Sequence, residues 1–392
     1  MSGSRVGSRY ASASPGAVVP TVFFAFRDAP ERRAALRAPQ SLDRYRLFGL
    51  DELARRGVRV RHNLEQDRRP PLWARMADRT INTLLDRFGG YGGDFASVLP
   101  ALRVANAAEV VFSTVDTVGI PLMLLKRAGL LRPPLVYVAV GLPERLAQLR
   151  GKPARRLYAA ALRRTQAIVS YSHREADSLQ SWLGRGAPRV LFVPFGVDVN
   201  AFRPDREREP GVDVVSVGAD PRRDLDLLTV VASHRPELSF GIVTTADRAH
   251  SLRGVPANVV IETDLPLNEV RARLAAARVV ALPVRDNTYS GATTVLLQAM
   301  AMAKPVVVSR TDAIARGYGL EDGVNCRLVE PGDPEAFERV VVETIVGAEA
   351  AVSLGLRARE TVERYFSWER YTDALCEILS AASTEPLLGR EP

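Results

Sequence analysis

Short apolar runs alternate with longer stretches of helical periodicity along most of the chain. In the first half the runs are rich in Val, Phe and Tyr and are bounded by turn residues, which predicts strands. They fall at 18–25, 57–60, 109–113, 134–140 and 167–171. Between them, Leu42, Tyr45, Phe48 and Leu53 recur at helix-like spacing ahead of Gly57, which predicts one helix over 41–57. Further helices are predicted at 97–106, 119–129 and 153–165.

The second half repeats this alternation. Strands are predicted at 212–217, 239–244, 258–262, 278–284, 305–309 and 326–330, and helices at 224–234, 267–277, 293–303 and 334–347. Strands that alternate with helices favour parallel sheets built from βαβ units. The prediction is therefore an α/β protein in which ligands bind outside the carboxyl ends of the strands.

A charged, breaker-rich segment separates the two series. It spans 202–211, FRPDREREPG, and has no apolar period, as expected of a linker. We predict two Rossmann-like, doubly wound domains, 18–200 and 201–368, which face each other across a central cleft. The Ser-, Gly- and Arg-rich residues 1–17 are predicted to be a flexible tail.

Composition narrows the class of protein. With 46% apolar residues among 392, the chain has ample material for two cores, and no apolar run is long enough to span a bilayer. Two cysteines do not make a disulfide framework, and residues 1–16 lack the apolar centre of a signal peptide, so a cytoplasmic protein is expected.

The net charge of +8 indicates an anionic partner. A phosphorylated substrate, an anionic lipid surface and a nucleic acid all satisfy it, and charge alone does not choose between them. The basic clusters are scattered, however, and no zinc knuckle or RNP-like string accompanies them. Nucleic acid is therefore not expected, and peripheral contact with an anionic membrane is an alternative that the arginine-rich region 31–79 favours.

The segment 278–309 is the most informative part of the sequence, because it runs strand, polar loop, helix and strand. The loop ends where the helix should begin, so free N–H groups and the positive helix end favour an anion such as phosphate. The residues at that junction are Ser290, Gly291, Ala292, Thr293 and Thr294. An ordinary Ser/Thr N-cap would give the same pattern.

A second strand-to-helix loop lies at 218–224. It begins with Gly218 and contains Arg222 and Arg223, whose guanidinium groups suit forked contacts with a diphosphate. A solvated arginine pair is the alternative. If both loops lie at the carboxyl edge of one sheet, they face the same crevice. Together they then favour a nucleotide-binding site more strongly than either loop does alone.

Other motifs are weaker. The loop 89–94, GGYGGD, contains Gly92 but lacks the G-x-G-x-x-G spacing, so it predicts either a flexible loop at the cleft or a surface turn. Asp224 and Asp226 form an acid-x-acid string at a helix start, where acids favour the helix dipole without any metal. No metal site is expected.

Five segments together resemble retaining glycosyltransferases of the GT-B fold, the group 1 or family 4 type that includes sucrose synthase-like and mannosyltransferase-like enzymes. They are FVPFGVDVNAFRP (192–204), VVSVGADPRRDLDLL, SGATTVLLQAMAMAKPVVVSRT, EDGVNCRLVEPGDPEAF and YFSWERYTDAL. The resemblance covers about 190–378 well and is looser over 18–185. It implies an acceptor domain at 18–200, a nucleotide-sugar domain at 201–368 and a C-terminal helix in 369–392 that packs back towards the first domain.

The resemblance also implies roles for residues of the second domain. Arg222 and Arg223 would contact the donor diphosphate, and the loop from Ser290 to Thr294 would offer backbone amides to the sugar and phosphates. The family usually carries Glu-x7-Glu across this loop and helix, but here the two positions hold Ser290 and Gln298. Gln298 still offers a hydrogen bond to a ribose, though without charge assistance.

On the acceptor side, the resemblance implies that Asp116, which follows the strand 109–113, orients an acceptor hydroxyl or the donor sugar. An N-cap of the helix at 119–129 is the alternative. Gly141 and Glu144 follow the strand 134–140 on the same edge, and Gly92 lies in a loop that is expected to close over the donor.

The predicted function is transfer of a sugar, with retention, from a nucleoside-diphosphate sugar to a small-molecule or lipid-like acceptor. The donor is a substrate, and no cofactor or metal is expected. Because the Glu pair is missing, a non-catalytic GT-B-like partner protein is the first alternative, and a lipid glycosyltransferase at a membrane surface is the second.

Overall fold

The computed structural model describes residues 21–37, 39, 41–65, 69–205, 211–289 and 291–384. The predicted tail, 1–17, lies outside the described residues, as do 385–392 of the predicted C-terminal segment and Ser290 of the predicted donor loop.

The first half forms a six-stranded sheet in the order β2-β1-β3-β4-β5-β6, with every pair of neighbours parallel. Its strands are β1 Thr21–Ala25, β2 Arg59–His62, β3 Val110–Ser113, β4 Leu135–Ala139, β5 Ala167–Ser170 and β6 Arg189–Phe192. Its helices are α1 Pro30–Arg37, α2 Arg44–Leu47, α3 Leu50–Arg55, α4 Leu72–Arg87, α5 Phe95–Val98, α6 Leu102–Ala105, α7 Asp116–Arg127, α8 Leu142–Ala147, α9 Gly151–Leu162 and α10 His173–Leu183. Every residue of β3, β4 and β5 is buried, as in a parallel sheet covered on both faces.

The second half forms another parallel six-stranded sheet, in the order β12-β11-β10-β7-β8-β9. Its strands are β7 Val212–Val217, β8 Phe240–Thr244, β9 Val259–Thr263, β10 Ala277–Leu282, β11 Val306–Ser309 and β12 Arg327–Val329. The helices of this half are α11 Leu225–His234, α12 Ala246–Ser251, α13 Leu267–Ala276, α14 Thr293–Ala301, α15 Asp312–Ala315, α16 Pro334–Val346, α17 Ala348–Tyr365 and α18 Trp368–Thr384.

Both sheets are doubly wound, so the predicted α/β architecture is confirmed. In each sheet the strand order reverses at one point, between β1 and β3 in the first and between β7 and β10 in the second. Ligands of such sheets bind in the crevice outside the carboxyl ends at this reversal. The loops after β7 and β10 therefore lie side by side, at the position where the sequence predicts a phosphate site.

The prediction of one continuous helix over 41–57 is wrong. A 3-10 turn at Ser41–Asp43 leads into α2, and α3 begins only after Phe48 and Gly49, both of which have positive φ. The break has a tertiary cause, because a Cβ at Gly49 would lie 2.9 Å from Leu375 Cδ2 of α18. The close approach of the C-terminal helix thus favours a glycine in the left-handed region at this point.

Two other elements differ from the prediction. The helix expected at 97–106 is divided into α5, a 3-10 turn at Leu99–Ala101 and α6, because Pro100 has no N–H to continue the ladder. The edge strand β6 was not predicted, since it has only four residues and none of them is fully buried.

The chain crosses between the two sheets twice, and the crossings lie together. Val197 N donates to Phe366 O at 3.0 Å, and Trp368 N donates to Val197 O at 2.9 Å. After the second crossing, α18 packs on the first sheet, where Trp368 and Leu375 join the core that contains Phe24. Phe202, which the sequence places in the linker, is instead buried in the core of the second half, and 206–210 lie outside the described residues.

Candidate functional site: the cleft at the carboxyl ends of the strands

The loop after β7 buries an arginine beneath its own backbone. The Arg223 side chain is 1% exposed, and its Nη2 donates to Val217 O. Gly218 has φ +151°, and a Cβ there would lie 2.5 Å from Arg223 Nε. The glycine is therefore required for the guanidinium to lie against the end of β7.

The Arg223 guanidinium is short of hydrogen-bond acceptors. Its Nε and Nη1 are buried and have no partner among the described residues, and burial lowers the pKa of the side chain to about 10. A buried cation with unmet donors is costly unless an anion meets them. This arrangement suits a residue that binds an anion.

The loop after β10 lies directly beside the loop after β7. Arg285 N donates to Arg222 O at 2.8 Å, and Asp224 N donates to Pro283 O at 3.0 Å. Tyr289 Oη donates to Asp220 Oδ1 at 3.0 Å. The structure thus brings the two predicted anion-binding loops together, and the half-buried Arg222 lies between them.

At the start of α14 no side chain caps the helix. The N-cap is Ala292, whose methyl group cannot accept a hydrogen bond, so the alternative of a Ser/Thr N-cap is wrong for the residues described. The Oγ1 of Thr293 is buried and has no partner in the described part of the chain, and Thr294 is half-buried next to it. A Cβ at Gly291 would lie 2.8 Å from Asp220 Oδ1, so the glycine permits this close approach.

Gln298 lies five residues further along α14 and is 3% exposed. It is therefore a buried polar residue of the helix. The predicted hydrogen bond from Gln298 to a ribose stays a prediction.

The first domain reaches the donor loop through α8. Glu144 accepts from Thr288 N at 2.9 Å and from Thr288 Oγ1 at 2.6 Å. A Cβ at Gly141 would lie 3.3 Å from the Tyr289 ring. The predicted residues Gly141 and Glu144 therefore contact the loop after β10 across the cleft, and an ion pair between Arg174 and Asp286 at 2.7 Å lies on the same loop.

Asp116 is the first residue of α7 and is 1% exposed, and its predicted contact with an acceptor hydroxyl or the donor sugar stays a prediction. Its Oδ1 accepts from Tyr137 Oη at 2.7 Å, and its Oδ2 lies 3.5 Å from Arg145 Nε. The alternative of an N-cap is wrong, because the N-cap is Val115 and makes no side-chain cap. Burial raises the pKa of Asp116 to about 7.

A second buried carboxylate, Glu175, supports the same strand ends and was not predicted. Its Oε1 accepts from Gly141 N at 2.7 Å and from Leu142 N at 3.1 Å, and its Oε2 accepts from Ser170 Oγ at 2.7 Å. The sequence signal here, Ser172-x-x-Glu175, is that of a local capping box. Its carboxylate instead holds the turn that carries Glu144, and burial followed by the charge of Asp116 raises its pKa to about 8.

These two acids predict an unusual pH dependence of stability. In the folded state their raised pKa values keep both protonated to about pH 7 and about pH 8, whereas in the unfolded chain they ionise near pH 4. Between those limits the folded state binds more protons, so the free energy of unfolding falls as pH rises. We expect the urea midpoint of wild type to fall from about pH 5 to about pH 8, with a smaller slope in Glu175→Gln. Glu338→Gln is the surface control, because hydrogen bonds from His234 and Arg235 lower the pKa of the Glu338 carboxyl. If the stability of Glu175→Gln fell with pH as steeply as that of wild type, the assignment to Glu175 would be contradicted.

The glycine-rich loop that contains Gly92 is fixed within the first domain. Asn82 of α4 bonds both the N–H and the C=O of Gly93, and a Cβ at Gly92 would lie 1.6 Å from Asn82 Oδ1. Tyr91 lies under the Arg145 guanidinium at 4.6 Å. Packing against α4 accounts for Gly92, and closure of the loop over the donor stays a prediction.

The acid-x-acid string has a structural explanation. Asp224 caps α11 by accepting from Leu227 N, and Arg285 pairs with both Asp224 and Asp226 at 2.9 and 3.0 Å. Within the described residues no three His, Cys, Asp or Glu side chains are grouped as metal ligands would be. That the reaction needs no metal stays a prediction.

Comparison with known proteins adds the family. Residues 208–346 match the family model described as "Glycosyl transferases group 1". The second half carries a group 1 glycosyltransferase domain. The two loops that are predicted to bind an anion, 218–224 and 283–294, both lie within the matched residues.

Named relatives of the glycosyltransferase domain are distant. The chain is 26% identical to an MMP alpha-(1->4)-mannosyltransferase of Mycolicibacterium hassiacum over 52% of this chain and 51% of that one. It is 27% identical to a GDP-mannose-dependent alpha-(1-6)-phosphatidylinositol monomannoside mannosyltransferase of Mycolicibacterium smegmatis, over 48% and 55% respectively. The chain thus spans about half the length of these curated relatives.

Solved structures show that the fold is shared along nearly the whole chain. Sucrose-phosphate synthase from Thermosynechococcus elongatus superposes with a TM-score of 0.70 at 15% identity, covering 92% of this chain and 98% of that one. HepE of Anabaena in complex with UDP gives 0.64 at 15% identity, covering 92% and 100%. The GT-B fold predicted from the sequence is confirmed.

The contact between Gly218 and Arg223 gives a test of the glycosyltransferase domain. Gly218→Ala places a Cβ against the guanidinium, and we expect it to abolish the rise in melting temperature that a bound nucleotide causes. Gly254→Ala is the matched control, because Gly254 also has positive φ but nothing lies within 4 Å of its Cβ position. Both variants should lose about 1–2 kcal/mol of stability from backbone strain, and only the first should lose nucleotide binding. Equal nucleotide responses in the two variants would refute the role of this contact.

Proposed function

We propose that this protein transfers a sugar from a nucleoside-diphosphate sugar to a small-molecule or lipid-like acceptor, with retention of configuration. The observation that carries the proposal is the buried Arg223 guanidinium beside Gly218, at the strand reversal of a group 1 glycosyltransferase domain. Its Nε and Nη1 have no partner among the residues that the structure describes. Charged N–H donors of a guanidinium are suited to phosphate oxygens.

A cavity between the domains offers space for the nucleoside. Its volume is about 680 Å³, and it is lined by Gly218 and Thr244 at the ends of β7 and β8 and by Leu42 and Arg46 of the first domain. Since Gly218 lines this cavity and also lies on Arg223, a nucleoside held there would place its diphosphate beside the guanidinium.

The proposed chemistry relies on position and charge. The bond from the anomeric carbon to the diphosphate breaks, the diphosphate takes the proton of the acceptor hydroxyl, and the acceptor oxygen forms the new bond on the same face. Arg222 and Arg223 stabilise the charge that develops on the diphosphate, and the amides of Gly291 to Thr294 hold sugar and phosphate oxygens. We assign Asp116 the orientation of the acceptor through its contact with Arg145.

The first experiment is a thermal-shift series with UDP, GDP, ADP and dTDP. Relatives motivate the first two arms, since one is named for GDP-mannose and a structural neighbour was solved with UDP. A nucleotide at a hundredfold excess over its Kd should stabilise the protein by about 2.7 kcal/mol. The matching sugar nucleotide is then incubated with candidate acceptors, and NMR of the anomeric proton reports retention.

The alternative is a non-catalytic partner protein, which the Ser290 and Gln298 substitutions favour. It predicts nucleotide binding without turnover for every acceptor tried. Product formation with any acceptor would exclude it, whereas the absence of both binding and turnover would overturn the proposed function itself.

A further inference from the structure

Helix α4 presents an apolar stripe to solvent. Trp73, Met76 and Leu84 are 56%, 63% and 58% exposed, and with Thr80 they are three, four and four residues apart, so they lie on one face. Leu72 precedes the stripe and Phe88 follows it, both exposed. Large side chains are normally exposed singly, and a contiguous row of them marks an interaction surface.

Arginines flank this stripe. Arg75, Arg79 and Arg87 are exposed on the same helix, and none of them has an ion-pair partner within the described part of the chain. The opposite side of α4 is anchored, since Asp78 accepts from Phe95 N at 2.8 Å and Asn82 bonds Gly93. A helix suits the interface of a bilayer when its apolar face is exposed to solvent, its arginines are available to anions and its opposite face is held by the protein.

The position of α4 connects the stripe to the first domain's part of the cleft. Asn82 holds Gly93, and the next residue, Asp94, donates its N–H to Thr117 O at the start of α7 at 2.8 Å. Asp116, at the carboxyl end of β3, precedes that contact directly. One short loop therefore separates the exposed stripe from the strand ends where the acceptor is proposed to bind.

We propose that the α4 stripe, consisting of Leu72, Trp73, Met76, Leu84 and Phe88, docks this protein on an anionic lipid bilayer. The inference deepens the proposed function and rests on it for one step only, namely that a lipid-borne acceptor then enters the cleft beside α4. A second copy of the chain is disfavoured, because pairing two α4 helices would bring their arginines together. Anionic headgroups meet the three arginines while the apolar side chains enter the acyl boundary.

The test is sedimentation of the full chain with vesicles of phosphatidylcholine, with and without phosphatidylglycerol. Neither donor nor turnover is needed, so a failure of the proposed function does not affect the result. We expect binding to the anionic vesicles only, weakened by salt, with a blue shift of Trp73 fluorescence. Removing all three arginines, R75Q/R79Q/R87Q, should weaken binding about a hundredfold, because each positive charge near an anionic surface contributes about 1 kcal/mol to binding. W73S/M76S should weaken it by about tenfold or more.

Matched controls remove similar side chains elsewhere. R155Q/R156Q deletes two exposed arginines of α9, and V352S/L356S deletes two exposed apolar side chains of α17. Both should bind vesicles as wild type does, and because all sites are exposed, every variant should keep the wild-type melting temperature. Equal binding to neutral vesicles, wild-type binding by the α4 variants, or a dimer that the W73S/M76S change dissociates would each overturn the proposal.

Discussion

Replacing Arg223 with methionine is expected to abolish stabilisation by the nucleotide while leaving the free protein at least as stable as wild type. The guanidinium is 1% exposed, and two of its nitrogens lack partners. An apolar side chain of similar length removes a buried charge that only the nearby carboxylate of Asp220 offsets among the described residues, and such changes are commonly neutral or stabilising. The same change removes the charge that would meet the diphosphate. We expect kcat/KM to fall by about 10²–10³-fold, the usual effect of losing one preorganised donor.

The signs of the two effects separate a binding role from a structural one. If Arg223 served only to hold Val217 O, Arg223→Met would lower the melting temperature of the free protein and keep the nucleotide-induced rise. Arg235→Met is the control, since Arg235 pairs with Glu338 at 2.6 Å at the surface. It should change neither the nucleotide response nor kcat/KM. Melting temperatures with and without nucleotide, measured on all three proteins, decide between the two roles.

Replacing Trp368 with alanine is expected to give the largest loss of stability among the substitutions considered. Trp368 is 0% exposed and lies at the start of α18, where its ring packs against Phe195 at 5.8 Å and Tyr371 at 5.1 Å. Truncating a buried tryptophan costs about 3–5 kcal/mol, from lost transfer free energy and the cavity that remains. The same backbone forms the second crossing between the sheets, so the change also loosens the attachment of α18 to the first domain.

The control for this prediction is Trp73→Ala, which removes an equal side chain from the exposed face of α4. A surface truncation of this kind should stay within about 0.5 kcal/mol of wild type. Urea unfolding followed by circular dichroism gives the midpoint of each variant. Closely similar midpoints for Trp368→Ala and Trp73→Ala would show that α18 contributes little to the core of the first domain.

Much of the donor side of the cleft is predictable from sequence, because parallel strands end at a common edge. The loops that begin at Gly218 and end at Thr294 each follow an apolar run, and each carries residue types that suit an anion. The adjacency of β7 and β10, which makes the two loops neighbours, is a property of the strand order and has no local signal. The sequence analysis left the adjacency of the loops as a condition, namely that both lie at the carboxyl edge of one sheet, and the strand order meets that condition.

The acceptor side was harder to predict, since its contacts join residues that are far apart in the chain. Glu175 has the spacing of a local cap, yet its carboxylate bonds Gly141 and Leu142 of another strand end. Tyr289 gives no signal of its own and acquires its place only between Gly141 and Asp220. Side chains that satisfy distant backbone groups leave no periodic pattern for a sequence to show.

The sequence by itself determined the alternation of strands and helices and the residue types of the two loops that are predicted to bind an anion, because these depend on local periodicity and turn chemistry. The tertiary structure decided which strands are neighbours, that the helix predicted over 41–57 breaks at Gly49 under α18, and that Asp116 is buried against Tyr137. The physical reason is the distance along the chain over which each effect acts. Local patterns act within a few residues, whereas burial, pKa shifts and unpartnered charges arise only when distant segments pack together and exclude water.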